Sequence, residues 1–444
     1  MGRRRPRRPA VRLGRRVALL LGLLGAAWAS PARAQQTPST PSLSAADLAP
    51  RVSLITVGPG SVLWEKFGHN IIRVTDPVAG TDIAYNYGIF DFRQENFYWN
   101  FVQGGMLYSM AGYDATRDIG RYVEAGRSIE VQDLALTPDQ ARRLAANLAR
   151  NAQPDKRDYR YDPYRDNCST RVRDALNLSL DGALEAPLTA LSTGATYRSR
   201  TAELTAGSPG WYFGLMLLLG PSTDQPLSAW EDSFIPMNFA RYIAPATNPA
   251  AVANGDAEAL VATTRLQPAR EGVTPSTRAP ASWLGWFLVL GVLLGGVLAW
   301  TGGRSGTGKG RRSFLVLAGF WTLLSGLAGL IMVYLWAFTA HSYAYRNENL
   351  LQASVLGLVM FGFLAGWARR GGPAPVAVRV LAATVAAFSV LGVAIQLLPW
   401  FSQVNAPILA FFVPANLGMA LGARRAAPSL TTTPEPSAVR PSRP

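Results

Sequence analysis

The carboxyl-terminal part of the chain contains five apolar stretches, which constrain its fold more than any other feature. A helix needs about 20 apolar residues to cross the hydrocarbon core of a bilayer, and each stretch is close to that length. Backbone that faces lipid must satisfy its own hydrogen bonds, so such segments fold as helices. We therefore predict an all-α transmembrane domain over residues 282–423, with helices at about 282–301, 314–340, 350–368, 376–398 and 405–423.

Basic residues occur in alternate loops of this domain. The loops after the first, third and fifth stretches carry the positive charge, supplied by Arg304, Lys309, Arg311, Arg312, Arg369, Arg370, Arg379, Arg424 and Arg425. The other loops hold His341, Arg346 and Glu348, or no charge. Because basic loops remain in the cytoplasm, we predict a multi-pass protein of the bacterial inner membrane with a disordered cytoplasmic tail over residues 424–444.

The first 34 residues have the composition of a secretory signal peptide. An Arg-rich segment, residues 3–16, precedes an apolar run over residues 17–28, and Ala32-Arg33-Ala34 offers an A-x-A cleavage site. An uncleaved anchor is the alternative, although the apolar run is shorter than a membrane span. A spacer rich in Pro, Ser and Thr follows over residues 35–46.

The distribution of charge argues against a nucleic-acid partner. The chain carries 43 Lys and Arg against 28 Asp and Glu, a net charge of +15. The signal peptide holds nine Arg and no acidic residue, and residues 282–444 hold twelve basic and two acidic residues. Residues 35–281 therefore contain 22 basic and 26 acidic side chains. A phosphate-binding domain needs a basic face, so we predict no nucleic-acid binding.

Residues 47–244 are long enough for one domain with a hydrophobic core, and we call them the outer domain. Strand-forming residues 68–74 and 82–88 flank a turn-forming segment, 76–80, which predicts a β-hairpin. Residues 245–281 are rich in Ala, Pro and Thr, and we predict that they are a linker to the membrane domain. The predicted fold class is thus an α+β outer domain followed by an all-α membrane domain.

A second strand region, residues 127–136, leads into a helix that Thr137 caps and that ends near Asn151. Further along, Asn167 caps a short helix that begins at Cys168. In the first turn of a helix, a sulfur faces free backbone N–H groups and the positive end of the helix dipole. Both favour the thiolate, so Cys168 is the candidate nucleophile.

His69 in the predicted hairpin is the candidate general base and acid for this thiol. If Thr75 pairs with Asp82, His69 shares a face with Asn86, which then orients the imidazole. The backbone N–H of Cys168 and the side chain of Asn167 are candidate oxyanion donors.

Four further residues are candidates for binding substrate. A one-residue slip of the hairpin would present Tyr85 and Tyr87 in place of Asn86. Arg127 is a candidate for contact with lipid phosphates. His341, at the outer end of the second membrane helix, either binds a substrate head group or ends the helix at the interface.

The scarcity of Cys and His limits the alternatives. One Cys cannot form an intramolecular disulfide, and one Cys with two His leaves only carboxylates to complete a metal site, so we predict neither metal nor cofactor. The structural interpretation remains open for both residues, because a lone Cys is usually a small buried hydrophobic residue and a lone His is usually structural.

Several spaced motifs resemble the N-terminal periplasmic domain of the Lnb family. They are residues 64–69 (WEKFGH), 85–92 (YNYGIFDF), 96–97 (NF), 101–104 (FVQG), 126–127 (GR) and 161–174 (YDPYRDNCSTRVRD). The resemblance covers roughly residues 50–245. The five apolar stretches, with residues 341–350 (HSYAYRNENL), are similar to the membrane part of that family.

This resemblance implies an activity. The namesake of the family is a lipoprotein intramolecular transacylase, which moves an acyl chain of a diacylglyceryl lipoprotein onto the α-amino group of its N-terminal cysteine. It implies Cys168 and His69 as the catalytic pair and a membrane lipid or lipoprotein as the substrate. The order of His before Cys is also similar to the permuted papain-like folds of the NlpC and lecithin–retinol acyltransferase group.

Three functions remain open at this point. The first is an acyltransferase that works through a Cys168 thioester. The second is a papain-like hydrolase of cell-wall peptides, which the membrane domain disfavours because such an enzyme needs only an anchor. The third is a non-enzymatic receptor or scaffold of the cell envelope, in which Cys168 is structural.

Overall fold

The computed structural model describes residues 47–253, 255, 259–273 and 283–426. The predicted signal peptide, the spacer and the tail beyond residue 426 lie outside the described residues. Within them, an α+β domain is followed by five long apolar helices, which confirms the predicted architecture at this level.

The outer domain extends beyond its predicted end, to residue 267. It is built on an antiparallel sheet, to which the described residues contribute seven strands: β1 (Arg51–Val57), β2 (His69–Asp76), β3 (Thr81–Ile89), β4 (Leu107–Asp114), β5 (Ile129–Leu134), β6 (Asp158–Arg160) and β7 (Val261–Gln267). Their order across the sheet is β6-β4-β3-β2-β1-β5-β7. The predicted hairpin is therefore at the centre. Thr75 pairs with Asp82 and Ile71 with Asn86, so the register on which the placement of His69 depends is confirmed.

Short helices connect the strands, and some of them pack against the two faces of the sheet. In the described part of the outer domain they are α1 (Phe97–Gln103), α2 (Ala115–Glu124), α3 (Pro138–Asn151), α4 (Cys168–Ser179), α5 (Glu185–Ala190), α6 (Tyr197–Thr205), α7 (Pro209–Leu218), α8 (Ala229–Asp232), α9 (Pro236–Ile243) and α10 (Pro249–Ala253). The start of α3 is as predicted. Gln140 donates its N–H to Thr137 Oγ1 at 3.3 Å, and Thr137 donates its N–H to Gln140 Oε1 at 2.9 Å.

Successive side chains of each strand pack on opposite faces of the sheet. On one face, Ile71 and Ala84 pack against α2 in a small apolar cluster. On the other face, Ile72 and Tyr85 belong to a larger core that includes residues of α3, α4 and α9. The register of β2 against β3 therefore places His69 and Asn86 on the same face of the sheet. A slip of one residue would place them on opposite faces.

Residues 261–267 correct the predicted linker at 245–281. They form β7, which pairs with β5 at the edge of the sheet. Asp133 holds this strand, because its Oδ2 accepts hydrogen bonds from Thr263 Oγ1 and Arg265 Nη1, both at 2.7 Å. Nearly all side chains of β7 are exposed, so the strand lacks the apolar alternation by which strands are recognised in a sequence.

The membrane domain consists of α11 (Trp283–Gly303), α12 (Gly308–Phe338), α13 (Leu356–Arg370), α14 (Val376–Ala394) and α15 (Ala406–Arg425). The spans that contain them are each long and apolar enough to cross a membrane. Helix α12 begins before the predicted residue 314, because Thr307 Oγ1 caps it by accepting the N–H of Gly310 at 3.0 Å. Helix α13 begins after the predicted residue 350, because residues 348–351 form a 3-10 turn.

The outer domain contacts the membrane domain through the end of α7. The side chains of Asn347 and Asn349, between α12 and α13, both donate to the carbonyl oxygen of Leu217 at 2.9 Å. Gln403, before α15, donates to the carbonyl oxygen of Leu219 at 3.0 Å. These donors satisfy carbonyl groups that the end of a helix leaves unbonded, so the contact is specific.

Candidate catalytic site

Cys168 is the first residue of α4, as predicted. Asn167 caps the helix, because its Oδ1 accepts the N–H of Ser169 at 2.9 Å and that of Thr170 at 3.0 Å. Thr170 completes the cap, with Oγ1 accepting the N–H of Asn167 at 2.8 Å. The sulfur therefore lies at the positive end of the helix dipole, which favours the thiolate.

The structure corrects the predicted role of Asn167 as an oxyanion donor. Its Nδ2 donates to the carbonyl oxygens of Pro163 and Phe234, both at 2.9 Å. Those two bonds use both hydrogens of the amide, and the side chain is buried. Asn167 therefore positions the helix that carries the thiol and keeps no hydrogen for a substrate.

Asn86 fixes the ring of His69 at the start of β2. Nε2 of His69 lies 2.9 Å from Oδ1 of Asn86, the neighbour expected from the hairpin register. Nδ2 of Asn86 donates to Asp118 Oδ2 at 2.8 Å and to the carbonyl oxygen of Ala84 at 3.3 Å. Because these acceptors require the NH2 group, Oδ1 faces His69 and accepts a hydrogen bond from the Nε2–H group. Nδ1 of the neutral ring is then free to accept a proton from Cys168.

Asp118 of α2 belongs to this row of side chains, and the sequence analysis missed it. The residue is buried, and Arg121, one turn further along α2, pairs with its carboxylate. An acidic residue in the first turn of a helix is common, because the helix dipole favours it there. Its partner Asn86 lies 32 residues away on a strand, so the local sequence contains no signal for the contact.

The imidazole of His69 lies within hydrogen-bonding reach of the Cys168 thiol, and each group shifts the pKa of the other. Burial raises the pKa of Cys168, but the charge and hydrogen bond of His69, with the N–H groups of Asn70 and Ser169, bring it below its ordinary value. Burial lowers the pKa of His69, but the Cys168 thiolate and the bond to Asn86 bring it above its ordinary value. Together these shifts favour a thiolate–imidazolium pair.

Cys168 and His69 approach each other from opposite faces of the sheet. The ring of His69 lies near Tyr122 of α2, whereas Cys168 packs with the core on the other face. Beyond the paired part of β2 and β3, the N–H of Asn70 donates to the sulfur. Gly88 has φ +88°, and a Cβ there would lie 3.4 Å from Cβ of Cys168. Glycine at position 88, which has no side chain, leaves room for the Cys168 thiol beside the end of the β2–β3 pairing.

A second hydrogen bond joins β2 to α4 directly beside the pair. Asn70 Nδ2 donates to Ser169 Oγ at 3.0 Å, and that hydroxyl donates to the carbonyl oxygen of Ser233 at 2.6 Å. Asn70 Oδ1 accepts from Thr56 Oγ1 at 2.9 Å. Asn70 and Ser169 are both fully buried, so the strand and the helix are held at a fixed distance where the reactive side chains meet.

Three tyrosines surround the thiol, and the sequence analysis gave none of them a role. Burial raises the pKa of Tyr108, Tyr159 and Tyr161, and the Cys168 thiolate raises each further. The buried hydroxyl of Tyr159 has no hydrogen-bond partner among the described residues. It lies 3.9 Å from the point where a Cβ of Gly88 would be, next to Cys168. It is a neutral donor close to the candidate nucleophile.

Tyr85 and Tyr87 are not presented in place of Asn86. Both rings are buried in the core shared with α3 and α4, on the face opposite Asn86. The hydroxyl of Tyr87 accepts a hydrogen bond from Asn151 Nδ2 at 3.2 Å. The confirmed register excludes the slip that would have made them candidates for binding substrate.

Arg127 and His341 are engaged within the protein. The buried Arg127 donates to the carbonyl oxygen of Gly58 from Nε at 2.9 Å and from Nη2 at 2.7 Å, which disfavours contact with a lipid phosphate. Nε2 of His341 lies 3.1 Å from the carbonyl oxygen of Phe101, and Nδ1 lies 2.7 Å from the hydroxyl of Tyr343. His341 therefore links α1 to the membrane domain instead of offering a free nitrogen to a head group.

The fold and the site define a class of protein: a membrane protein whose outer α+β domain brings a Cys and a His within hydrogen-bonding reach. No group of three or more His, Cys, Asp or Glu that could hold a metal ion occurs in the part of the chain that the structure describes. Residues 42–200 match the family model described as the Lnb N-terminal periplasmic domain. This match confirms the resemblance of the motifs to that domain. Comparisons with curated proteins and with solved structures found no match.

Proposed function

We propose that the chain is a thiol-dependent acyltransferase of the bacterial inner membrane, with Cys168 as nucleophile and His69 as general acid and base. The observation that carries this proposal is the Cys168–His69 contact, in which the pKa of the thiol is lowered and that of the imidazole is raised. A thiolate near neutral pH attacks an ester carbonyl readily. The substrate class is an acyl ester of a lipoprotein or a phospholipid, as the Lnb family suggests.

The reaction has two halves. The thiolate of Cys168 adds to the carbonyl carbon of the ester, the C–O bond breaks, and the imidazolium of His69 protonates the leaving alkoxide. The acyl group is then held as a Cys168 thioester. An amine or water adds to the thioester carbonyl, His69 takes its proton, the C–S bond breaks, and the thiolate returns. No cofactor is required.

Other residues support each half of the reaction. Asn86 and Asp118 keep the proton on Nε2 of neutral His69, so that Nδ1 faces the thiol. The negative oxygen of the tetrahedral intermediate needs hydrogen-bond donors, each typically worth about 3 kcal/mol. The N–H group of Asn70 and the hydroxyl of Tyr159 are donors near the sulfur on which the proposal can draw. The N–H group of Ser169 also lies near the sulfur, but it already donates to Asn167 Oδ1.

We infer from the chain order a permuted papain-like arrangement, in which the strand that carries His69 precedes the helix that carries Cys168. The outer domain is then periplasmic, and the odd number of spans leaves the C-terminus in the cytoplasm. The domain works at the outer face of the membrane, where ester lipids and lipoproteins are within its reach.

The test is expression of wild type, Cys168→Ser and His69→Ala at equal levels beside a reporter lipoprotein, with mass spectrometry of its N-terminus. Wild type is expected to move an acyl chain onto the reporter, and both variants are expected to lose this activity. Equal modification by the variants would contradict the mechanism. Release of fragments from muropeptides by wild type, with no change in the lipoprotein, would favour the peptide hydrolase instead.

A further inference from the structure

Helix α1 and the segment before it expose a cluster of aromatic side chains. The exposed fractions are 59% for Phe92, 75% for Tyr98, 60% for Trp99 and 57% for Phe101. A group of exposed apolar side chains on the surface of a domain outside the membrane helices usually marks an interaction site. Trp and Tyr are the residues most enriched where a protein meets the head-group region of a membrane.

Hydrogen bonds attach α1 to the outer end of α12. Gln103 Nε2 donates to the hydroxyl of Tyr334 at 2.5 Å, and the N–H of Ala340 donates to the carbonyl oxygen of Gln103 at 2.9 Å. His341 adds the contact with the carbonyl oxygen of Phe101. Because α12 is apolar enough to span the bilayer, a helix attached to its end lies at the level of the lipid head groups.

A row of aromatic rings leads from this surface to the thiol. The ring centroids of Phe92 and Phe90 are 5.0 Å apart, those of Phe90 and Tyr108 are 5.5 Å apart, and those of Tyr108 and Tyr161 are 4.0 Å apart. Tyr108, Tyr161 and Cys168 pack against the same core cluster of the sheet. Phe90, Tyr108 and Tyr161 are half-buried, so the row is not sealed within the core.

We propose that Phe92 and α1 lie in the outer leaflet and that this row of rings guides the acyl chain of a bilayer ester to Cys168. The proposal rests on the proposed function, which it extends by naming the route of the substrate. A hydrocarbon chain suits ring faces and edges, and a path that begins among lipids spares the chain a passage through water. The attachment of α1 to α12 keeps the mouth of this path at the membrane surface.

The first experiment measures depth in the membrane on the full chain. Cys168→Ser removes the only Cys, so Trp99→Cys or Val78→Cys in that background gives one site for a nitroxide label in phosphatidylethanolamine and phosphatidylglycerol vesicles. Val78 is exposed at the hairpin turn, at the other end of β2 from His69. The label at 99 is expected to favour oxygen over a nickel chelate by about threefold or more relative to the label at 78. Equal accessibility at both sites would overturn the placement.

The second experiment compares two esters with each variant. The rate of acyl-enzyme formation from a bilayer lipid ester is divided by the rate from a water-soluble short-chain ester. Trp99→Ser with Phe101→Ser is expected to lower this ratio about tenfold, because it removes two interfacial aromatic anchors. Val78→Ser, which removes an exposed apolar side chain far from α1, is the matched control. A ratio that stays at the wild-type value, or that falls equally in the control, would overturn the proposed route.

The two experiments separate this proposal from the function on which it rests. Absence of acyl-enzyme with both esters would overturn the proposed function, and the guiding role of the rings with it. A label at 99 that remains in water, together with acyl-enzyme formation by the wild-type protein in the second experiment, would overturn the membrane path alone.

Discussion

Asn70 and Ser169, the residues that directly follow His69 and Cys168 in the chain, are hydrogen-bonded to each other between Nδ2 and Oγ at 3.0 Å. The His69–Cys168 pair and the Asn70–Ser169 pair are therefore neighbouring contacts between the same strand, β2, and the same helix, α4. One bond holds the backbones together, and the neighbouring contact brings the thiol to the imidazole.

We expect Asn70→Ala to disturb both stability and reactivity. The change leaves the buried hydroxyl of Ser169 without one partner, which typically costs about 1–3 kcal/mol in the free energy of unfolding. It also loosens β2 from α4, so alkylation of Cys168 by iodoacetamide at neutral pH is expected to slow about tenfold. Thermal unfolding in detergent and the alkylation rate measure the two effects.

Thr56→Ala is the matched control for Asn70→Ala. It removes the other side-chain partner of Asn70 and leaves the bond to Ser169 in place. We expect it to destabilise the protein with little change in alkylation. If Asn70→Ala destabilises the protein yet alkylates at the wild-type rate, the Asn70–Ser169 bond does not position the reactive pair.

The reactivity of Cys168 should depend on pH in a way that His69 controls. The folded thiol has a lowered pKa, so its thiolate persists as the pH falls below the ordinary thiol value of about 8.5 and is lost only at lower pH. In His69→Ala, the imidazole no longer counteracts the effect of burial, which raises the pKa of Cys168. The midpoint of alkylation is therefore expected to move to higher pH. His341→Ala removes the other imidazole and is expected to leave the midpoint unchanged. A midpoint that is the same in wild type and His69→Ala would argue against the pair.

Asp118→Asn tests the row of side chains behind the imidazole. An amide at position 118 can donate as well as accept, so the Asn86 side chain can rotate and direct its NH2 group toward His69. Nε2 of neutral His69 would then accept a hydrogen bond, and the ring proton would move to Nδ1, which faces the thiol. Acyl-enzyme formation is expected to slow about 10- to 100-fold. The chain has only two His, so ¹⁵N-histidine spectra contain the signals of His69 and one other imidazole and report the tautomer of His69. An unchanged spectrum together with an unchanged rate would show that Asp118 does not set the tautomer.

Asp114→Asn is the control on the same helix. Asp114 caps α2 by accepting the N–H of Arg117 at 2.8 Å, and an Asn caps equally well. We expect this variant to keep both the spectrum and the rate of wild type.

Tyr159→Phe separates an oxyanion donor from a core residue. Its hydroxyl has no partner in the described chain, so its removal is expected to leave the stability unchanged or slightly higher. If the hydroxyl donates to the oxyanion, the rate of acyl transfer falls about 100-fold. Tyr87→Phe should show the reverse pattern, with about 1 kcal/mol of stability lost with the Asn151 bond and a rate near wild type. A wild-type rate in Tyr159→Phe would exclude the donor role.

Local patterns predicted the parts of the fold that local physics determines. The hairpin register follows from strand residues on either side of a turn, and the caps at Thr137 and Asn167 follow from side chains that bond backbone within three residues. The five spans follow from length and hydropathy alone. In each case the signal and the structure it specifies lie in the same short segment.

Contacts between distant segments were not predictable in this way. The bond between Asn70 and Ser169 joins residues 99 positions apart. The side-chain amide of Asn167 donates a hydrogen bond to the carbonyl oxygen of Phe234, 67 positions away. Local sequence patterns therefore indicate a free donor at Asn167, which the structure does not have, and give no signal for the role of Asp118. Strand β7 escaped detection because an exposed edge strand needs no apolar face.

The central claim is that Cys168 accepts an acyl chain from a membrane ester. The most direct measurement is the intact mass of the full chain after incubation with vesicles that contain diacyl lipoprotein or phospholipid, followed by peptide mapping. Wild type is expected to gain the mass of one acyl chain on the peptide that contains Cys168, in a linkage that hydroxylamine cleaves, and Cys168→Ser is expected to gain none. Absence of that adduct in wild type, or its persistence in Cys168→Ser, would contradict the account.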